Sequence, residues 1–128
     1  MSPNKTISPY FEYGIFAGVR CTFENEDFVI TAKNYKNGKR MSWKEAMSAL
    51  NADGLSTFNY RQICFTIDFR IEINKVLMDN GGEILNKHYW TRSEFMTDYA
   101  FVYDSKRNIL DVFDKSCTWS VRYVKNLK

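Results

Sequence analysis

His88 is the one histidine of the chain, and Cys21, Cys64 and Cys117 are its three cysteines. A hydrolytic triad or a multi-histidine metal site would rest on that single imidazole, so neither is expected. The cysteines stand far apart, without the Cys-x-x-Cys spacing of a zinc site, and their odd number points to free thiols in a reducing compartment, the alternative being one disulfide with a spare thiol. Cys64 and Cys117 could in principle act as a redox pair. Their neighbours (Ile63 and Phe65; Ser116 and Thr118) supply no cation to depress a thiol pKa, so buried, inert thiols are expected. Glu24, Glu26 and Asp27 sit in a turn-like stretch and read as solvated charge. Asp111 and Asp114 are close in sequence while Asp98 and Asp104 stand alone, too sparse for the oxygen cage of a calcium ion. Gly81-Gly82 reads as a helix stop rather than a phosphate loop. No catalytic residue, no metal and no cofactor follows from these residues, and the chain is not expected to be an enzyme.

The chemistry that these residue types do suit is contact. Aromatic residues make up 16% of the chain, and they crowd into residues 88–124. Such side chains offer large contact area at low entropic cost. Connecting segments and outward strand positions there hold Arg92, Glu94, Phe95, Asp98, Tyr99, Tyr103, Asp104, Arg107, Thr118 and Trp119, which are the candidate ligand-binding residues. Trp43 and Trp90 read as core anchors, and Arg122 as a structural hydrogen-bond hub. Lys33, Lys36, Lys39 and Arg40, with Tyr35 among them, could track a phosphate backbone. A net charge of +3 is too small a footprint for that, so no nucleic-acid partner is expected.

With 128 residues the chain is long enough to bury one core, and it is read as one domain spanning 1–128. Residues 1–12 are polar and proline-marked, a disordered lead-in or a first short strand. Residues 14–23 and 28–32 read as strands, and Asn37-Gly38 as a turn. Ser42-Trp43-Lys44-Glu45 is a capping box. Trp43, Ala46, Met47 and Leu50 then recur at the i, i+3, i+4, i+7 spacing of an amphipathic helix, which Gly54 stops. From Ile63 to Ile73 the apolar residues alternate, which argues for a strand, yet residues 76–82 look like a helix running into its cap. Residues 88–124 read as an antiparallel meander that turns at 105–108. No secretory leader and no membrane-spanning run is present in the chain, so no membrane insertion is expected. That suits a cytoplasmic or phage-particle location, or the cell surface if a leader has been removed.

Trp43 and Ala46, then Gly54, then 73–75 running to Gly81-Gly82, follow one another along the chain. Tyr89-Trp90-Thr91-Arg92-Ser93-Glu94 and a closing Val121-Arg122-Tyr123-Val124 complete the series. In these tokens residues 14–127 resemble the Lcl C-terminal domain family, bacterial and phage domains of mostly unknown function with a C-type-lectin-like fold. The family's Trp-Arg-x-Pro-Thr segment is replaced here by Phe58-Asn59-Tyr60-Arg61-Gln62. The resemblance implies an α+β, C-type-lectin-like fold, two helices on a twisted, mainly antiparallel sheet, with residues 63–79 helical despite their alternation. It also implies that the C-terminal strands form the ligand face, as in the variable proteins of diversity-generating retroelements. The expected function is therefore adhesin-like recognition of a protein or carbohydrate. The alternatives are a structural or homo-oligomerising subunit of a phage or cell-surface assembly, and a cysteine-dependent enzyme on the same fold.

Overall fold

The computed structural model describes residues 4–127. The chain is α+β, with three helices and eight strands arranged in two antiparallel sheets. Strands β1 (Lys5–Glu12), β2 (Ile15–Phe23) and β3 (Glu26–Thr31) form a meander. It is extended by β8 (Tyr123–Asn126), which pairs with β3, and by the two-residue β4 (Ser56–Thr57), giving the order β1-β2-β3-β8-β4. The second sheet is β5 (His88–Met96), β6 (Tyr99–Asp104) and β7 (Ile109–Asp114) in sequential order. Of the two alternatives for residues 1–12, residues 5–12 take the strand, and residues 1–3 lie outside the described part.

Helix α1 (Trp43–Ala52) begins where the capping box places it: the Glu45 amide donates to Ser42 Oγ, and the Ser42 amide donates to the Glu45 carboxylate. These hydrogen bonds hold the Glu45 carboxyl below the usual carboxylate range. Residues 63–79 are helical, as the resemblance implies, but the segment starts earlier and breaks once. Helix α2 (Tyr60–Asp68) and helix α3 (Arg70–Asp79) meet at Phe69, whose φ of −118° departs from helical geometry. Asn59 and Gln62 form a second capping box, which initiates α2 without the proline of the family pattern. The alternation fails as a strand signal because these apolar side chains do not share one buried face. Ile63 and Ile73 point into the core, Phe65 stacks on Phe23 at 4.4 Å, and Ile71 is largely exposed. No helix among the described residues is long and apolar enough to cross a membrane.

Two apolar clusters organise the packing. The first joins the inner face of the larger sheet (Val19, Cys21, Phe28, Ile30, Val124) to α2 and α3 (Ile63, Phe65, Ile73, Leu77) and to Tyr89 and Tyr103 of the smaller sheet. The second packs α1 (Ala46, Leu50) against Trp90, Ala100, Val102 and Val121. Strand β6 and the first half of β5 are thus buried on both faces. In β2, Gly18 lies so close to β3 that a Cβ there would come within 2.1 Å of the Ile30 carbonyl oxygen, and its φ of +149° suits glycine alone.

Residues 119–124 do not close the meander as the sequence suggests. Trp119 exchanges two backbone hydrogen bonds with Met41, and Ser120 bridges to Tyr89 beside its bonds with His88 and Trp90. The chain then crosses to the other sheet, where β8 lies between β3 and β4 and so brings the C-terminal strand beside the N-terminal ones. The crossing is fastened by Arg122, fully buried, whose guanidinium donates to the carbonyls of Thr31, Glu83 and Ile84 at 2.6–3.1 Å. Its Nε finds no acceptor among the described residues, and burial lowers its pKa.

Candidate functional site

The register of β5 on β6 slips between Trp90 and Glu94 and again between Glu94 and Met96. Such irregularities bend the strand and turn side chains away from the sheet. At this end of the hairpin Phe95, Met96 and Tyr99 stand out, 54%, 61% and 41% exposed. Half-buried Phe101 takes Phe95 edge-on at 5.7 Å and Tyr60 edge-on at 5.3 Å, so three rings from α2, β5 and β6 form one cluster. Tyr60 is the first residue of α2, directly after its Asn59 cap, and this places its ring outside the core, half exposed.

Polar contacts fix this end of the hairpin to its neighbours. Arg92 Nη1 donates to Ser56 Oγ at 3.2 Å. Lys115 Nζ donates to Glu94 and to the Thr97 carbonyl, and sits 4.2 Å above the Trp43 ring. The Lys115 amide donates to the Asp98 carbonyl at 2.9 Å, tying the hairpin turn to the chain beyond β7. Trp43 in turn donates its indole N–H to the Thr91 carbonyl at 2.9 Å. The hairpin end therefore rests on α1 through fixed contacts while its apolar tip remains uncovered.

Of the candidate ligand-binding residues, Arg92, Glu94, Phe95, Asp98 and Tyr99 come together here, and all five are exposed. The others lie elsewhere. Tyr103 is fully buried and donates to Asn108 Oδ1 at 2.7 Å, and burial pushes its hydroxyl above the usual tyrosine range. Asp104 is buried at the far end of the hairpin, where its Oδ1 accepts the amides of Lys106 and Arg107 and its Oδ2 lies 3.4 Å from His88 Nε2. Arg107 is exposed at that same turn, and Thr118, also exposed, gives its carbonyl to Arg40. Trp119 is half-buried, stacked on His88 at 4.4 Å and edge-on to Phe113, with its indole N–H buried and lacking an acceptor among the described residues. Tyr103 and Trp119 thus hold the smaller sheet to its neighbours rather than facing outward. Sequence reasoning missed Tyr60 and Phe101. The signal for Tyr60 was the unread capping box at Asn59, which makes it the outward first residue of a helix.

Two concavities lie away from the hairpin end. An open groove of about 850 Å³ runs over the outer face of the larger sheet, where Val29, Thr31, Tyr123 and Lys125 alternate with the inward Phe28, Ile30 and Val124. Tyr35 walls it and donates its hydroxyl to Asp53, and burial together with that bond pushes its pKa up to about 12. A smaller recess of about 200 Å³ opens beside Trp119, bordered by Arg40, Lys87, His88 and Lys106.

The cysteines are free thiols. Cys21 is buried in the first cluster, which pushes its pKa up to about 12 and keeps it protonated at neutral pH. Cys64 borders a shallow hollow between β2 and α2, whereas Cys117 packs against the second cluster. No family model, curated protein or solved structure matches the chain in comparisons with known proteins.

Proposed function

We propose that this chain is a non-catalytic recognition domain on a C-type-lectin-like scaffold of the Lcl C-terminal domain kind, and that it grips a protein or carbohydrate with the end of its β5–β6 hairpin. The observation that carries this reading is the ring cluster of Tyr60, Phe95 and Phe101, uncovered, with exposed Met96 and Tyr99 and the charged Arg92, Glu94 and Asp98 on the same stretch of hairpin. A clustered apolar patch inside a polar rim is the usual anatomy of a binding surface, whereas single exposed apolar residues are ordinary. The contacts of Lys115 and Trp43 support it further, since they hold the patch in shape before any ligand arrives and so reduce the ordering cost of binding. Phe95 and Met96 carry no hydroxyl or amide for sugar hydroxyls, so a protein surface suits the tip better than a glycan does.

The test is a glycan array and a panel of surface proteins, probed with the wild-type chain and with the Phe95→Ala/Tyr99→Ala double variant. A ligand bound by the wild type and lost by the variant supports the reading. A ligand bound equally by both overturns it.

A further inference from the structure

We infer that the recess beside Trp119 is a binding site for a phosphoryl group, either free phosphate or a small phosphomonoester. Three separate segments bring permanent cations to it: Arg40 from the loop before α1, Lys87 from the approach to β5, and Lys106 from the β6–β7 turn. Arg40 is held in place. Its Nε and Nη2 both donate to the Thr118 carbonyl, at 3.0 and 2.9 Å, and its guanidinium lies 5.0 Å from the Trp119 ring. Nη1 is left without a protein acceptor among the described residues. The Lys87 stem runs beside Gly38, where a Cβ would meet Lys87 Cε at 2.9 Å. Neither the Lys87 nor the Lys106 ammonium has an acidic partner among the described residues.

The nearby carboxylate does not neutralise them. Asp104 is buried, one oxygen accepting two turn amides and the other facing His88. His88 is itself stacked on Trp119, so the aromatic surface is already occupied and offers no platform for a base or sugar ring. What remains is concentrated positive charge with free N–H donors. A phosphomonoester, carrying about −1.5 to −2 at neutral pH with three strong acceptor oxygens, matches it. The recess measures about 200 Å³, room enough for a phosphoryl group. The site lies at the far end of the hairpin from Phe95 and does not depend on the recognition surface there.

The experiment is an NMR titration of the ¹⁵N-labelled chain with inorganic phosphate and, separately, glycerol 3-phosphate, at ionic strength held constant with sodium chloride. The Trp119 indole and the amides of His88 and Lys106 are expected to shift saturably in the millimolar range. The Trp90 indole, bonded to the Met41 carbonyl in the core, is expected to stay still. The Lys87→Gln/Lys106→Gln variant, which alters exposed side chains only, is expected to bind at least tenfold more weakly with an otherwise unchanged spectrum. Saturation by both probes assigns the site to phosphomonoesters, and saturation by phosphate alone assigns it to the free ion. Absence of saturable shifts with either probe, or undiminished binding by the variant, overturns the inference.

Discussion

Phe95 and Trp119 are both aromatic, both flanked by polar residues, and indistinguishable as surface candidates in the sequence; their surroundings separate them. Phe95 touches Phe101 and is otherwise open, whereas Trp119 is wedged among His88, Phe113 and Arg40. Phe95→Ala is therefore expected to leave stability within about 0.5 kcal/mol of wild type, while Trp119→Ala costs about 2–4 kcal/mol; urea denaturation of the two variants checks the difference. The tripeptide Val-Arg-Tyr hints that Arg122 is structural but not what it holds, because its three carbonyl partners come from other segments of the chain. Arg122→Ala removes a fully buried side chain and its three hydrogen bonds, leaves the buried Thr31 carbonyl unpaired, and is expected to cost about 3 kcal/mol, measured in the same way. Cys21 supplies a pH signature. Its folded pKa of about 12 stands above the ordinary 9.0, so the folded chain retains a proton that the unfolded chain has lost. Stability is then full below pH 9 and falls as pH rises through this window, by up to about 1.4 kcal/mol per pH unit. The slope between pH 9 and 10, where Tyr35 and Tyr103 add a smaller contribution of the same sign, is expected to flatten in Cys21→Ala. A thermal-melt series across that range that shows the same slope in both proteins would contradict it.

At the scale of elements, α1 was legible because its start, its apolar stripe and its glycine stop agree with one another. The segment 60–79 was not, because its start signal is an Asn–Gln capping box rather than the commoner Ser–Glu form, and because the break at Phe69 mixes two short helical periods into an apparent alternation. Each cap supplies a prediction: Ser42→Ala and Asn59→Ala should each cost about 1 kcal/mol, seen as a matching loss in equilibrium unfolding. The placement of β8 was half legible. Pairing of the chain's two ends follows from the apolar character of Val124 and of β3, but its entry between β3 and β4 depends on Met41 and on the carbonyls that hold Arg122, which are remote in sequence. Gly18 belongs to the same class of long-range fact. Gly18→Ala should cost about 1–3 kcal/mol or more, because β3 leaves no space for a methyl group there, and a melting temperature equal to wild type would show that the two strands give way.

For the whole molecule, the division of labour is between a two-sheet body and a hairpin end that projects from it. The body buries β6 and the first half of β5 on both faces, which hides Tyr103 and Asp104, while Arg107, Thr118 and Trp119 lie away from the hairpin tip. The α+β class was legible through the resemblance, against the alternation of residues 63–73; which aromatics face outward was not, since burial on both sides erases the in–out alternation that sequence patterning relies on. The account's central claim is that the hairpin end, and not the larger groove on the outer sheet face, receives the ligand. Hydrogen exchange on the chain alone and saturated with its strongest ligand from the panel addresses this directly. The prediction is slowed exchange over residues 92–101 and around residue 60, with the groove at residues 29–36 and 123–126 unchanged. Slowed exchange at the groove with an unaltered hairpin would contradict the claim.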